Sequence, residues 1–228
     1  MGDDVQFPNG GETAHGYLAV PEGGSGPGLL VIQEYWGLVD HIRDMCDRFA
    51  AEGFVALAPD LYHGETTTEP DEAGKLMMTL NLGQAVADMS GAIALLQENE
   101  ATTSSTLGVT GFCMGGGLAL VMAAERPAAF GACVPWYGLI PWEHAHPDWS
   151  NMQAKVRGHF AEDDDFFGPD KARALEADLK DNGVDAEITI WPGVGHAFFN
   201  DTRPEVHDPE VSAQAWGQSV AFLHSELD

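Results

Sequence analysis

Positive charge is what this chain has least of. Of its 228 residues only ten are Lys or Arg, against thirty-six Asp or Glu, for a formal net charge of −26 at pH 7. The acids run from Asp3 to Asp228 rather than forming a tail, so the excess belongs to the whole surface. Such a surface repels phosphate backbones and anionic lipid, which argues against nucleic acid and membrane partners. Self-repulsion weakens a compact fold most where screening is poor, the Debye length being about 30 Å at 0.01 M salt. We therefore read the acidity as halophilic, an adaptation to a salt-rich cytoplasm in which that repulsion is screened.

Cysteine is also scarce. Cys46, Cys113 and Cys133 are odd in number and far apart, which excludes a disulfide framework or a close metal-ligand pair and fits a reducing compartment. No apolar stretch approaches the roughly 18 residues of a membrane span. The start, Met1 to Gln6, lacks the basic and apolar regions of a secretory signal, and Gln6 stands where a myristoylation motif needs Ser or Thr. The expectation is a soluble cytoplasmic protein, a monomer by default. His144, His146 and Asp148 lie close in sequence, but a closed zinc site takes four ligands and this Pro-containing loop reads as a surface turn. No metal and no cofactor is expected.

What is present is ordinary globular material, 44% hydrophobic and 20% charged. Its length suits one domain spanning residues 1–228. Thr13 to Val20 reads as a strand leading through the turn residues 21–27 into Leu29-Leu30-Val31-Ile32, together a hairpin. That second run and Phe54 to Ala58 are continuous and apolar, as in strands buried on both faces. Ile42, Met45, Cys46 and Phe49 repeat at helical spacing, as do Val86, Met89, Ile93 and Leu96. Further strands are expected at 106–110, 130–134, 156–160 and 186–191, and helices at 118–124, 172–179 and 211–227. Alternating strands and helices imply a mostly parallel sheet with helices on both faces, its chemistry in loops at the strands' C-terminal ends.

The segment Thr110-Gly111-Phe112-Cys113-Met114-Gly115-Gly116 sits where a strand should turn into a helix. A nucleophile on so sharp a turn takes a strained backbone conformation, and side chains two residues to either side would collide with the strand or helix, which glycine avoids. Cys113 is thus the candidate nucleophile, its negative charge favoured by the positive end of the helix. Cys46 on an apolar helix face and Cys133 within a strand read as core. A thiol nucleophile needs a base and a group to orient it, in the chain order nucleophile, acid, histidine. Asp163, Asp164 and Asp165 follow one strand and His196 follows the last, so both reach the edge that carries Cys113.

These residues resemble the dienelactone hydrolase family, the cysteine branch of the α/β-hydrolases. The likeness rests on Gln33-Glu34, on Ala58-Pro59-Asp60-Leu61-Tyr62, on the elbow itself and on Gly195-His196-Ala197-Phe198-Phe199, and it implies an α/β-hydrolase fold. The family's small residue, two variable positions and aspartate match Ala161-Glu162-Asp163-Asp164, which selects Asp164 as the acid. The resemblance also implies that Glu34 holds or deprotonates Cys113, and that backbone N–H groups of Met114 and Tyr35 receive an oxyanion. The function it implies is hydrolysis of a small-molecule ester or lactone, of the carboxymethylenebutenolidase type, through an acyl-cysteine. A general carboxylesterase or thioesterase would use the same parts, and a non-catalytic thiol sensor only the thiol. The family's two carboxylate-holding arginines are missing: no arginine lies between Arg48 and Arg126, and Asn200 stands four residues past His196. Arg203, Lys75 and His63 are the substitutes that sequence offers, Arg203 foremost.

Overall fold

Two segments are buried at every position, Gly28–Ile32 and Val55–Pro59, and both are strands, as uninterrupted apolar runs demand. The computed structural model describes residues 1–138 and 140–227. In chain order the first part holds β1 (Asp3–Pro8), β2 (Thr13–Ala19), β3 (Gly28–Ile32), α1 (Asp40–Ala51), β4 (Val55–Pro59), α2 (Pro70–Thr79) and α3 (Leu82–Glu98). Then come β5 (Leu107–Phe112), α4 (Met114–Glu125), β6 (Phe130–Trp136), β7 (Lys155–Asp163), α5 (Pro169–Asp181), β8 (Ala186–Gly195) and α6 (Pro209–Leu227), with short 3₁₀ turns at Glu143–Ala145 and Trp149–Asn151. The eight strands form one sheet in the order β1-β2-β4-β3-β5-β6-β7-β8, the mostly parallel arrangement expected. Contacts group the chain into two compact units, residues 1–109 with residue 227, and residues 110–226.

Within the first unit, β3 and β4 run parallel with Gly28 opposite Val55. β2 is antiparallel to β4 on one side and to β1 on the other. This corrects the expected hairpin of Thr13–Val20 with Leu29–Ile32. β2 turns back on β1 instead, through a loop in which Asn9 Oδ1 accepts the Glu12 N–H at 2.8 Å. β4 lies between β2 and β3, because a strand apolar on both faces is placed inside the sheet. α1 buries Ile42, Met45, Cys46 and Phe49, the stripe read from its spacing. α3 starts at Asn81, whose side chain accepts from the Gln84 N–H. α2 buries only Ala73 and has no apolar period to announce it.

In the second unit β6, β7 and β8 run parallel. α4 is buried from Met114 to Ala124, apolar all round as a central helix must be. The His144 to Asp148 segment is a turn in which Asp148 accepts from Ser150 N and Oγ at 3.0 and 2.7 Å. His159 on β7 is fully buried and takes part in a closed chain of hydrogen bonds. Trp191 Nε1 donates to its Nδ1 at 3.2 Å, its Nε2 lies 2.9 Å from Ser219 Oγ, and Ser219 donates to Ala215 O at 3.0 Å. Burial lowers its pKa to about 3, so the ring is neutral and Nε2 carries the proton.

Candidate active site

Cys113 occupies the single residue between β5 and α4, with φ 53° and ψ −120°. A non-glycine residue held there is strained and persists only where its surroundings over-determine it. Here they do. Its N–H donates to Trp136 O at 3.0 Å and its carbonyl accepts the Gly116 N–H at 3.0 Å. A Cβ on Gly111 would come within 2.1 Å of Gly115 O, the collision anticipated for the elbow. Gly138 plays an equivalent part that sequence gave no reason to expect, since its Cβ would meet Cys113 O at 2.1 Å. The Cys113 side chain is partly accessible, whereas Cys46 and Cys133 are fully buried and burial pushes both their thiols up.

Asp164 follows β7 directly and its side chain is fully buried, while Asp163 and Asp165 are exposed. One oxygen, Oδ1, accepts the Phe166 and Phe167 N–H groups at 2.8 and 3.0 Å. The other, Oδ2, lies 2.7 Å from Nδ1 of His196, the residue after β8. Burial alone would raise the Asp164 pKa, but the bond and charge of His196 and the two backbone donors outweigh it and hold the carboxyl below its usual value. His196 shows the complementary balance. Burial disfavours its charge, yet hydrogen bonds to Asp164 and to Cys113, and the charge of both, raise it to about 10. With Nδ1 given to Asp164, Nε2 is the nitrogen that serves the thiol.

The structure thus brings Cys113, His196 and Asp164 into one hydrogen-bonded relay within a single unit. Three aromatic rings enclose the imidazole: Tyr137, Phe166 and Phe167, with centroids 5.2, 5.6 and 5.8 Å away. None was named from sequence, because neither Tyr137 nor the two phenylalanines stand in a motif. Lys171 was missed as well. Its Nζ donates to Phe166 O at 2.7 Å and lies 5.9 Å from the Phe167 ring, which brings a cation to the loop beside His196.

The remaining candidates lie as follows. Glu34 is buried just past β3 and Tyr35 follows it; Met114 opens α4. The Arg203 Nε is 3.0 Å from Glu205 Oε1, so a neighbouring carboxylate meets its charge. His63 bonds Asp88 at 2.9 Å, and Lys75 is exposed on α2. Asn200 is buried, its Oδ1 accepting from Thr202 N and Oγ1 at 3.1 and 2.6 Å. Among the described residues no cluster of three or more His, Cys, Asp or Glu could hold a metal ion, and no helix is long and apolar enough to cross a membrane.

Comparison with known proteins gives the family. Over 233 residues covering the whole of both chains, the sequence is 39% identical to protein usf of Aquifex pyrophilus. It is 35% identical, again over both full lengths, to an Aquifex aeolicus protein that bears the provisional name carboxymethylenebutenolidase. A solved structure of a provisionally named dienelactone hydrolase from Klebsiella pneumoniae superposes with a TM-score of 0.85 at 27% identity, covering 98% of this chain and 99% of that one. Residues 14–227 match the dienelactone hydrolase family. The chain belongs to that family, and is a hydrolase of ester and lactone bonds with an α/β-hydrolase fold.

Proposed function

We propose that this hydrolase works by nucleophilic catalysis at Cys113, with His196 moving the proton and Asp164 orienting the imidazole. The observation that carries the reading is the relay itself: a thiol on a strained elbow, hydrogen-bonded to an imidazole whose other nitrogen is 2.7 Å from a buried carboxylate. The thiol proton is on His196 Nε2 by the time Sγ bonds to the carbonyl carbon of the substrate, as the raised pKa of that imidazole favours. For the resulting oxyanion the family resemblance offers the backbone N–H groups of Met114 and Tyr35, and the positive end of α4 favours its charge. Collapse breaks the C–O bond, and the imidazolium gives its proton to the departing alkoxide. Water, deprotonated by His196, then attacks the acyl-cysteine and releases the acid. To Glu34 we assign, on the family resemblance, the role of restraining the thiol until substrate arrives, since a negative charge beside a thiol disfavours the thiolate.

For substrate we propose neutral esters or lactones, with no strong need for a carboxylate beside the scissile bond. The side chains packed on His196 are aromatic, and Arg203 already faces Glu205. A charge-assisted contact is worth roughly 1.5 to 3 kcal/mol, so a site in which Lys171 is held by Phe166 O and Arg203 by Glu205 forgoes about 10- to 100-fold of preference for acidic substrates. A panel of p-nitrophenyl esters, thioesters, a neutral lactone and dienelactone tests both proposals. Wild type and Cys46→Ala should turn over the neutral compounds and Cys113→Ala should not. Full turnover by Cys113→Ala refutes the mechanism, and a strong preference for dienelactone that Arg203→Ala removes refutes the substrate reading.

A further inference from the structure

Asp88 lies in the middle of α3 with its side chain fully buried. A carboxylate so placed must be compensated by donors, and it has three. Asn9 Nδ2 is 2.6 Å and Gln84 Nε2 3.1 Å from Oδ1, and His63 Nε2 is 2.9 Å from Oδ2. Gln84 is on the same helix and Asn9 belongs to the β1–β2 turn. His63 comes from the loop after β4, where it holds φ 53°, a left-handed conformation that costs an L-residue strain and is kept only when something holds it. The loop is also wound about Asp60, whose two oxygens accept the Tyr62 and Gly64 N–H groups at 3.1 and 2.6 Å.

That same loop carries the segment 33–37. The Leu61 N–H donates to the buried Gln33 Oε1 at 3.1 Å, and the Thr67 N–H to Trp36 O at 3.2 Å. Gly37, at φ 96°, is approached so closely that a Cβ there would lie 2.5 Å from Glu65 O. On another side the loop borders a cavity of about 340 Å³ lined by Leu38, Arg43, Asp60 and His63 among others. Leu61 and Tyr62 pack into the core, while on the cavity side the loop has no packing behind it and His63 is held there by its bond to Asp88.

We infer that the His63–Asp88 pair is a latch: it pins the loop Asp60–Thr67, which in turn positions the segment bearing Glu34 and Tyr35. This makes His63 a positioning residue that does not touch substrate, and the inference rests on the roles proposed above for Glu34 and Tyr35. Releasing the latch lets the 33–37 segment relax, which displaces the two groups to which those roles are assigned. Binding of a small neutral ester should change little, because both roles concern the chemical step. The chemical step should suffer.

The test uses the full chain, p-nitrophenyl acetate kinetics, melting temperature and the rate at which iodoacetamide alkylates Cys113. His63→Gly removes the ring and the strain together. It should lower kcat by about 10- to 100-fold, the scale of a displacement near 1 Å, with little change in KM. The alkylation rate should change with it, as the role proposed for Glu34 requires. His63→Gln, whose amide nitrogen reaches where Nε2 does, should restore most of both values. Asn9→Ala removes a donor from Asp88 without touching the loop and should keep wild-type kcat. Should His63→Gly not fold, Gln33→Met, which deletes the acceptor for Leu61, reads the same coupling and should lower kcat. Wild-type kcat in His63→Gly or in Gln33→Met overturns the latch, as does an equal loss in His63→Gly, His63→Gln and Asn9→Ala that tracks melting temperature. Glu34→Gln separates the two levels of the argument. If it is impaired while His63→Gly is not, the latch alone fails; if it matches wild type in kcat and alkylation, the role of Glu34 fails and the latch with it.

Discussion

Replacing Asp164 by Asn alters the proposed relay by one group while keeping its shape. Asn can still offer Oδ1 to the Phe166 and Phe167 N–H groups that now bond Asp164 at 2.8 and 3.0 Å. Its amide NH₂ then faces His196 Nδ1, where the carboxylate oxygen stood at 2.7 Å. A donor in that place makes Nδ1 the acceptor and moves the ring proton to Nε2, so the nitrogen facing Cys113 can no longer take a proton. A tautomer trapped this way costs up to about 10⁴-fold in kcat for the related serine triad. The variant should also lose the charge that helps raise His196 to about 10, and its pKa should fall back toward the ordinary histidine range. Asp163→Asn and Asp165→Asn alter exposed groups and should leave kcat within a few-fold of wild type. Steady-state kinetics with p-nitrophenyl acetate and nitrogen NMR of the imidazole measure the two effects separately. Equal kinetics for the three variants, or a normal tautomer in an inactive Asp164→Asn, would refute the reasoning.

Two further outcomes follow from charge. Molar potassium chloride should raise the melting temperature by screening the acidic surface, and a flat or falling value between 0.05 and about 2 M would count against salt adaptation. His159 has its folded pKa depressed by burial to about 3 from 6.5, so the unfolded chain binds a proton that the folded one refuses. Its stabilising contribution is whole above pH 6.5 and is lost as pH falls toward 3, on the order of 4 to 5 kcal/mol over that window. Urea melts between pH 4 and 6 should show it. Asp164, with a lowered pKa, loses its share only at more acid pH, and the raised His196 retains its own throughout. His159→Phe should be less stable overall but with a shallower acid slope, and an unchanged slope would remove His159 as the cause.

Most of the fold was legible because apolar runs and periods announced it. β3, β4 and β5 are nearly continuous apolar strands, and α1 buries the four residues its spacing named. What escaped notice had no local signal. β1 buries only Phe7 and opens with two aspartates, so its pairing with β2, not its composition, makes it a strand. α2 buries one residue and begins at Pro70. The proposed relay was legible for a different reason: a strained turn admits few residues, and Gly111, two positions before Cys113, marks where the backbone is crowded. Choosing Asp164 from three adjacent aspartates needed the family pattern; in the structure it is the one of the three that is buried and bonded to His196. The aromatic enclosure of His196, Lys171 and the His63–Asp88 contact are tertiary. They join residues 25 or more positions apart in the cases of His63 with Asp88 and Asp164 with His196, and only the second of these pairs lies in a motif.

The central claim is that turnover passes through a covalent acyl group on Cys113. Rapid quenching of the enzyme with a slowly deacylated p-nitrophenyl ester, followed by peptide mass spectrometry, tests it most directly. The account predicts the acyl mass on the peptide containing Cys113, formed at the rate of the p-nitrophenol burst and absent from the peptides containing Cys46 and Cys133. Steady turnover with no acyl group on Cys113, or an acyl group on another residue that forms at the burst rate, would contradict it.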